Sequence, residues 1–162
     1  MKNLSIEEAK SKAAHLCSQS EKAPQEIFEK LTKWEVSCAD AEQIVEWLKK
    51  ENFLSEARYA HAFVHDKFVY EHWGRIKIAF QLRGKGISDT LIENTIDDVI
   101  TPEDYLSILV DLLRSKMRGM SLPLVVNDRA RLYRFAAQRG FESRFVAKAL
   151  TIVGEDSEDL EY

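Results

Sequence analysis

Three apolar positions, Ile27, Leu31 and Val36, recur 51 residues on as Ile78, Leu82 and Ile87, and 54 residues further as Leu132, Ala136 and Phe141. No other feature of the chain constrains its fold as strongly. Further matches extend the second and third copies: Gly86 falls on Gly140, Ile92 on Val146 and Ile96 on Leu150. A fixed recurrence of this length is what stacked units require, because each must present the same apolar face to its own core and to its neighbour. Within 162 residues there is room for a few small units of this kind.

The local period is helical almost throughout. Ser5 with Glu8 forms a capping box ahead of Ile6, Ala9, Ala13, Leu16 and Cys17, which share one stripe. Pro24 opens a second helix, and "DAEQIVEWLKKE" turns Ala41, Ile44, Val45 and Leu48 inward. A helix starts near Ser55, another runs through "GRIKIAFQLRGKG" to Gly84 or Gly86, and a third is capped by Ser88. Thr101 and Pro102 begin the next, the loop "GMSLPLVVN" follows, and "DRARLYRFAAQRG" and "ESRFVAKALTIV" complete the pattern. No strand alternation competes over a comparable length. The expected fold is therefore all-α, an elongated tandem array of three three-helix repeats at residues 1–52, 53–100 and 101–153. Residues 154–162, "GEDSEDLEY", are expected to be a disordered acidic tail. No self-complementary exposed stripe is visible, so a monomer is expected.

Charge is distributed unevenly around the formal net value of −4. Residues 67–86 hold five Lys and Arg against one acid, and residues 114–144 hold eight against two. The basic positions repeat too: Arg75, Lys77 and Lys85 fall on Arg129, Arg131 and Arg139, whereas the first copy has Pro24, Glu26 and Trp34 there. The core pattern thus belongs to the repeat, and the charge is added to two copies of it. Lys77, Gln81 and Lys85 stand at i, i+4 and i+8 and are expected to line one face. Like charges at that spacing repel, so two uncompensated basic helices point to an anionic partner. Solvated helix faces are the plain alternative. Tyr133 and Phe135, interleaved among the arginines, could stack on bases, although core positions suit them better.

Other chemistries lack their residues. His61 and His65 are four apart on a helix, but no glutamate follows the metalloprotease arrangement and no cysteine is near, so neither metal nor cofactor is expected. No nucleophile triad order and no phosphate-binding glycine loop appears; Gly84-Lys85-Gly86 follows a helix rather than a strand. Cys17 and Cys38 sit among apolar neighbours and are expected to be small buried hydrophobes. The three tryptophans at 34, 47 and 73 read as packing residues beside helix junctions. No apolar run approaches the ~20 residues needed to span a bilayer, and the first residues lack a signal-peptide core. A cytoplasmic, non-enzymatic binding protein is the expectation.

"GRIKIAFQLRGKGIS", Gly74 to Ser88, resembles a motif of the RecX family, regulators of the RecA recombinase. Leu54, Glu56, Arg58, Tyr59 and Ala60 in "NFLSEARYAHAFV" resemble a second family run, and "RFAAQRGFESRFVAKAL" is similar to the ending of its third repeat. The resemblance covers roughly residues 5–153. It departs at Ser55, where an acid is usual, and at Trp34-Glu35, where a basic residue and glycine are usual. It implies an elongated helical protein lying in the groove of the RecA filament on single-stranded DNA. There it would inhibit recombination, ATPase and co-protease activity in DNA repair and the SOS response. The candidate contacts with filament or DNA are Arg75, Lys77, Arg83, Lys85, Arg129, Arg131, Arg134 and Arg139. Two alternatives remain on the residues alone: a helix-turn-helix reader of duplex DNA, and a helical protein–protein adaptor.

Overall fold

The computed structural model describes residues 4–155. Among the described residues it contains nine α-helices and no strand, in three groups of three. The first group is α1 (Ile6–Gln19), α2 (Pro24–Lys33) and α3 (Cys38–Lys50). The second is α4 (Glu56–Val69), α5 (Arg75–Gly84) and α6 (Asp89–Val99), and the third α7 (Pro102–Lys116), α8 (Val126–Gln138) and α9 (Ser143–Glu155). The expected caps are in place. Ser5, Ser88 and Thr101 each accept a hydrogen bond from the backbone N–H three residues on, as do Ser37 and Ser55.

The chain divides into two compact units, Met1–Phe63 with Gln81–Thr95, and Val64–Phe80 with Ile96–Tyr162. The first has Ala9, Ala13, Ile27, Leu31, Ala41, Ile44 and Leu48 at its centre. In the second, Leu109, Leu113, Leu132, Ala136, Val146 and Leu150 are buried, with Tyr105 among them. The recurring positions are core positions. Ile78, Leu82, Ile87 and Phe141 are all buried as well, and only Val36 is half-exposed.

Each unit contains one joint of the same design, in which the start of one helix meets the end of another. A helix N-terminus has unbonded N–H groups and a C-terminus has unbonded carbonyls, so the two ends can satisfy each other. In the second unit, the N–H of Gly74 donates to the carbonyl of Arg139 at 2.7 Å, and that of Ile76 to the carbonyl of Gly140 at 3.0 Å. In the first, a side chain makes the contact: the Gln25 amide donates to the carbonyl of Gly84 at 3.3 Å.

The close approach dictates the glycines. Gly86 and Gly140 end α5 and α8 in the left-handed region, with φ of 81° and 93°. A Cβ on Gly140 would overlap Lys77, and one on Gly86 would lie 2.6 Å from Gln25 Oε1. The matching residue of the first group is Glu35, also left-handed at 66°, and among the described residues no helix start donates to this turn, which leaves room for a side chain.

Three local expectations are corrected. Val126 and Asn127 belong to α8 rather than to the preceding loop, which adds most of a turn to that helix. Gly154 and Glu155 continue α9, so the tail begins later than expected; the rest of it, residues 156–162, lies outside the described residues. Cys38 is exposed and Cys17 half-buried, because Cys38 is the first residue of α3 and falls outside its apolar stripe.

Gly74 is buried and adopts no left-handed conformation, yet a Cβ there would overlap the carbonyl of Gly140 and the amide of Phe141. Gly74→Ala and Gly140→Ala are each expected to destabilise by about 2 kcal/mol or more in urea unfolding. Gly84→Ala, which faces open space in a helical position, should be neutral or stabilise by up to about 1 kcal/mol.

Candidate nucleic-acid interface

The eight basic candidates do not form one set. On α5 and the turn that ends it, every cation is engaged within the protein. Arg75 is largely withdrawn from solvent, its guanidinium 3.6 Å from Glu142 and stacked 4.2 Å from the Tyr105 ring and 5.2 Å from that of Phe145. Its Nε is buried without a hydrogen-bond partner. Lys77 lies over the indole of Trp73 at 4.2 Å, with Lys67 also on that ring at 4.9 Å. Arg83 pairs with Asp89 at 2.6 Å and Lys85 with Glu26 at 3.3 Å.

Two of these pairs, Arg75–Glu142 and Lys85–Glu26, belong to the joints. In the first unit, Tyr59 on the opening turn of α4 donates to Glu26 at 3.1 Å, and Lys85 binds the same carboxylate oxygen. In the second, Tyr105 on the opening turn of α7 donates to Glu142 and accepts the Arg75 N–H at 2.9 Å, while the Arg75 guanidinium faces Glu142. The tyrosine stands at the fourth residue of its helix in both. The charges are exchanged: the docking helix start supplies the acid in the first joint and the cation in the second.

On α8 the arrangement is different. Arg129, Arg131 and Arg134 are exposed, and among the described residues none of their guanidinium groups has a carboxylate or hydrogen-bond partner. Arg139 is half-buried, donates to the carbonyl of Glu71 at 2.8 Å and covers Phe135 at 5.2 Å. Phe135 also carries Lys116 at 5.0 Å, and the Tyr133 hydroxyl donates to Ser143 Oγ at 2.6 Å. Arg131 and Arg134 are three apart and share the outward side of the helix, opposite the buried Leu132 and Ala136. A multidentate guanidinium held off its own carboxylates is suited to phosphate oxygens.

The outward stripe of α5 holds residues that the charge pattern missed. Lys77, Gln81 and Lys85 are half-buried, whereas Ile76 and Phe80 are 56% and 68% exposed. One signal was available in the sequence. The matching positions are Gln25 and Glu29 in the first copy and Ala130 and Arg134 in the third, so the repeat does not require apolar residues there.

Residues 55–96 match the family model described as "RecX, second three-helix domain". The chain is 29% identical over 150 residues to the regulatory protein RecX of Herbaspirillum seropedicae, covering 93% of this chain and 94% of that one. It is 27% identical over 152 residues to the protein of the same name from Halorhodospira halophila, covering 94% and 92%. The chain is thus similar over nearly its whole length to proteins of the RecX family. The crystal structure of RecX from Lactobacillus salivarius shares its fold, with a TM-score of 0.81 at 18% identity over 90% of this chain and 94% of that one. Among the described residues no helix is long and apolar enough to cross a membrane.

Withdrawal from water raises the Tyr59 and Tyr105 phenols above their usual value, and their glutamate partners add to the rise. A group whose pKa is raised by folding contributes stability in full below its unfolded value and loses it as pH climbs through the folded one. Urea midpoints should therefore decline above about pH 10, the usual phenol value. The decline should be smaller in Tyr59→Phe and Tyr105→Phe, each of which should also be less stable at neutral pH.

Proposed function

We propose that this chain acts on RecA as the family does, by lying along the RecA–single-stranded DNA filament and restraining its ATP hydrolysis, strand exchange and co-protease activity. The unpaired arginines of α8 carry this reading. Arg129, Arg131 and Arg134 contact phosphate directly, while Lys77, Arg83, Lys85 and Arg139 approach an anion only by leaving the partners they already hold. Arg75 acts from behind, as a positioning residue that fixes the start of α5. Nothing in this scheme requires chemistry by the chain itself; its effect comes from binding.

The test is RecA-dependent ATP hydrolysis on single-stranded DNA with and without the protein. The intact chain should slow it. Arg131→Glu/Arg134→Glu should relieve the inhibition, and the salt dependence of filament binding should become shallower by ~0.7 in slope for each phosphate that is no longer neutralised. Hydrolysis untouched by the intact chain at saturating amounts would refute the reading. So would a double variant that binds with unchanged affinity and salt slope.

A further inference from the structure

Resting on that reading, we infer that the acidic segment at residues 156–162 is a built-in competitor for the arginines of α8. In the chain alone its carboxylates pair with Arg129, Arg131 and Arg134, and phosphate must displace it. The two sets match in charge. The segment DSEDLEY holds Asp156, Glu158, Asp159 and Glu161 and no cation. On α8, one acid, Asp128, stands against the three arginines. Their guanidinium groups are exposed and have no carboxylate or hydrogen-bond partner among the described residues. That separates them from Arg75, Arg83 and Lys85, which already hold Glu142, Asp89 and Glu26. Neighbouring like charges repel, and a carboxylate relieves them as phosphate does, by accepting from the same guanidinium fork.

The reach is sufficient. The segment follows α9, which packs against α8 in the same unit, with Val153 buried there. Its seven residues can extend to about 23 Å. The whole of the 13-residue α8 is about 20 Å long. Tethering decides between this segment and that of a second copy. A tethered group competes at an effective concentration on the order of millimolar, which the same group on a separate, dilute chain does not match. Exposed ion pairs are individually weak. The contact therefore lowers the affinity for phosphate without abolishing it.

The test keeps the full chain and removes only charge. Asp156→Asn/Glu158→Gln/Asp159→Asn/Glu161→Gln is made alone and together with Arg131→Gln/Arg134→Gln. Binding to a single-stranded oligonucleotide and to the RecA–single-stranded DNA filament is measured over a range of salt. Neutralising the segment should tighten both about threefold or more at low salt, as when the competent fraction rises from about one third to all. The gain should fade as salt screens the exposed pairs. With Arg131→Gln/Arg134→Gln present, the same change should shift affinity by less than half as much. Equal tightening in both backgrounds would overturn the inference in favour of general repulsion between the segment and DNA. No tightening in either would show that the segment leaves the arginines open, with the α8 reading intact. A gain lost on dilution, alongside self-association in sedimentation, would assign the contact to a second copy instead. If Arg131→Gln/Arg134→Gln binds with the parent's affinity and salt slope, the α8 reading itself fails. The arginine side-chain N–H resonances of the free chain then decide the contact separately. Neutralising the segment should move those of Arg129, Arg131 and Arg134, and unmoved resonances would overturn the inference.

Discussion

The structure depends on a helix start pressed against a left-handed helix end. Unbonded N–H groups at one helix terminus meet unbonded carbonyls at another, and each supplies what the other lacks. That contact requires backbone to approach backbone more closely than a Cβ allows, which fixes Gly74 and Gly140 in the second unit. It also brings side chains at the two ends together, so whatever charge they carry must be compensated locally. Glu26, Tyr59 and Lys85 meet that demand in one joint, and Arg75, Tyr105 and Glu142 in the other. The exchange of acid and cation between the two makes the joints non-equivalent. A helix start carrying Glu26 would face Glu142 if it docked in the wrong place, and like charges in a half-buried setting oppose that pairing.

From this follows the asymmetry between two helices that look alike in sequence. α5 docks by its own start and receives another helix start at its end, so its cations lie at joints from both sides. α8 receives a helix at its end only, and Arg139, at that end, is the one of its four candidate arginines that is engaged. Arg129 lies in the first turn of α8 and Arg131 and Arg134 in its middle, on the exposed side, where among the described residues no joint forms.

The apolar recurrence was legible because core packing imposes the same spacing on every copy. Ile27, Leu31, Ile78, Leu82, Leu132 and Ala136 announce helix, face and repeat together. The caps were legible for a similar reason, since Ser5, Ser88 and Thr101 satisfy a backbone demand that is local in sequence. The direction of α5 was not. Its charge pattern suggests that Lys77, Gln81 and Lys85 face solvent, yet all three are half-buried, and residues about 60 places away meet Lys77 and Lys85. Ile76 and Phe80 were hidden by the converse rule, which assigns apolar side chains to the core. Both failures have one cause: helical periodicity tells which residues share a face, and long-range docking decides where that face points. The same limit applied to the glycines, since Gly140 reads as a helix stop and only the fold reveals it as a socket.

Arg75 and Arg129 occupy the same position in successive copies, yet their surroundings give them opposite roles, so comparing Arg75→Gln with Arg129→Gln is the most direct test. Urea unfolding and filament affinity over a range of salt would be measured for both. Arg75→Gln should lose about 1–3 kcal/mol of stability, since it leaves the half-buried Glu142 carboxylate without its ion-pair partner, and keep the parent's salt slope. Arg129→Gln should keep the parent's stability within about 0.5 kcal/mol and bind the filament with a slope shallower by ~0.7. Equal stability of the two variants, together with equal drops in salt-dependent affinity, would contradict that division of roles.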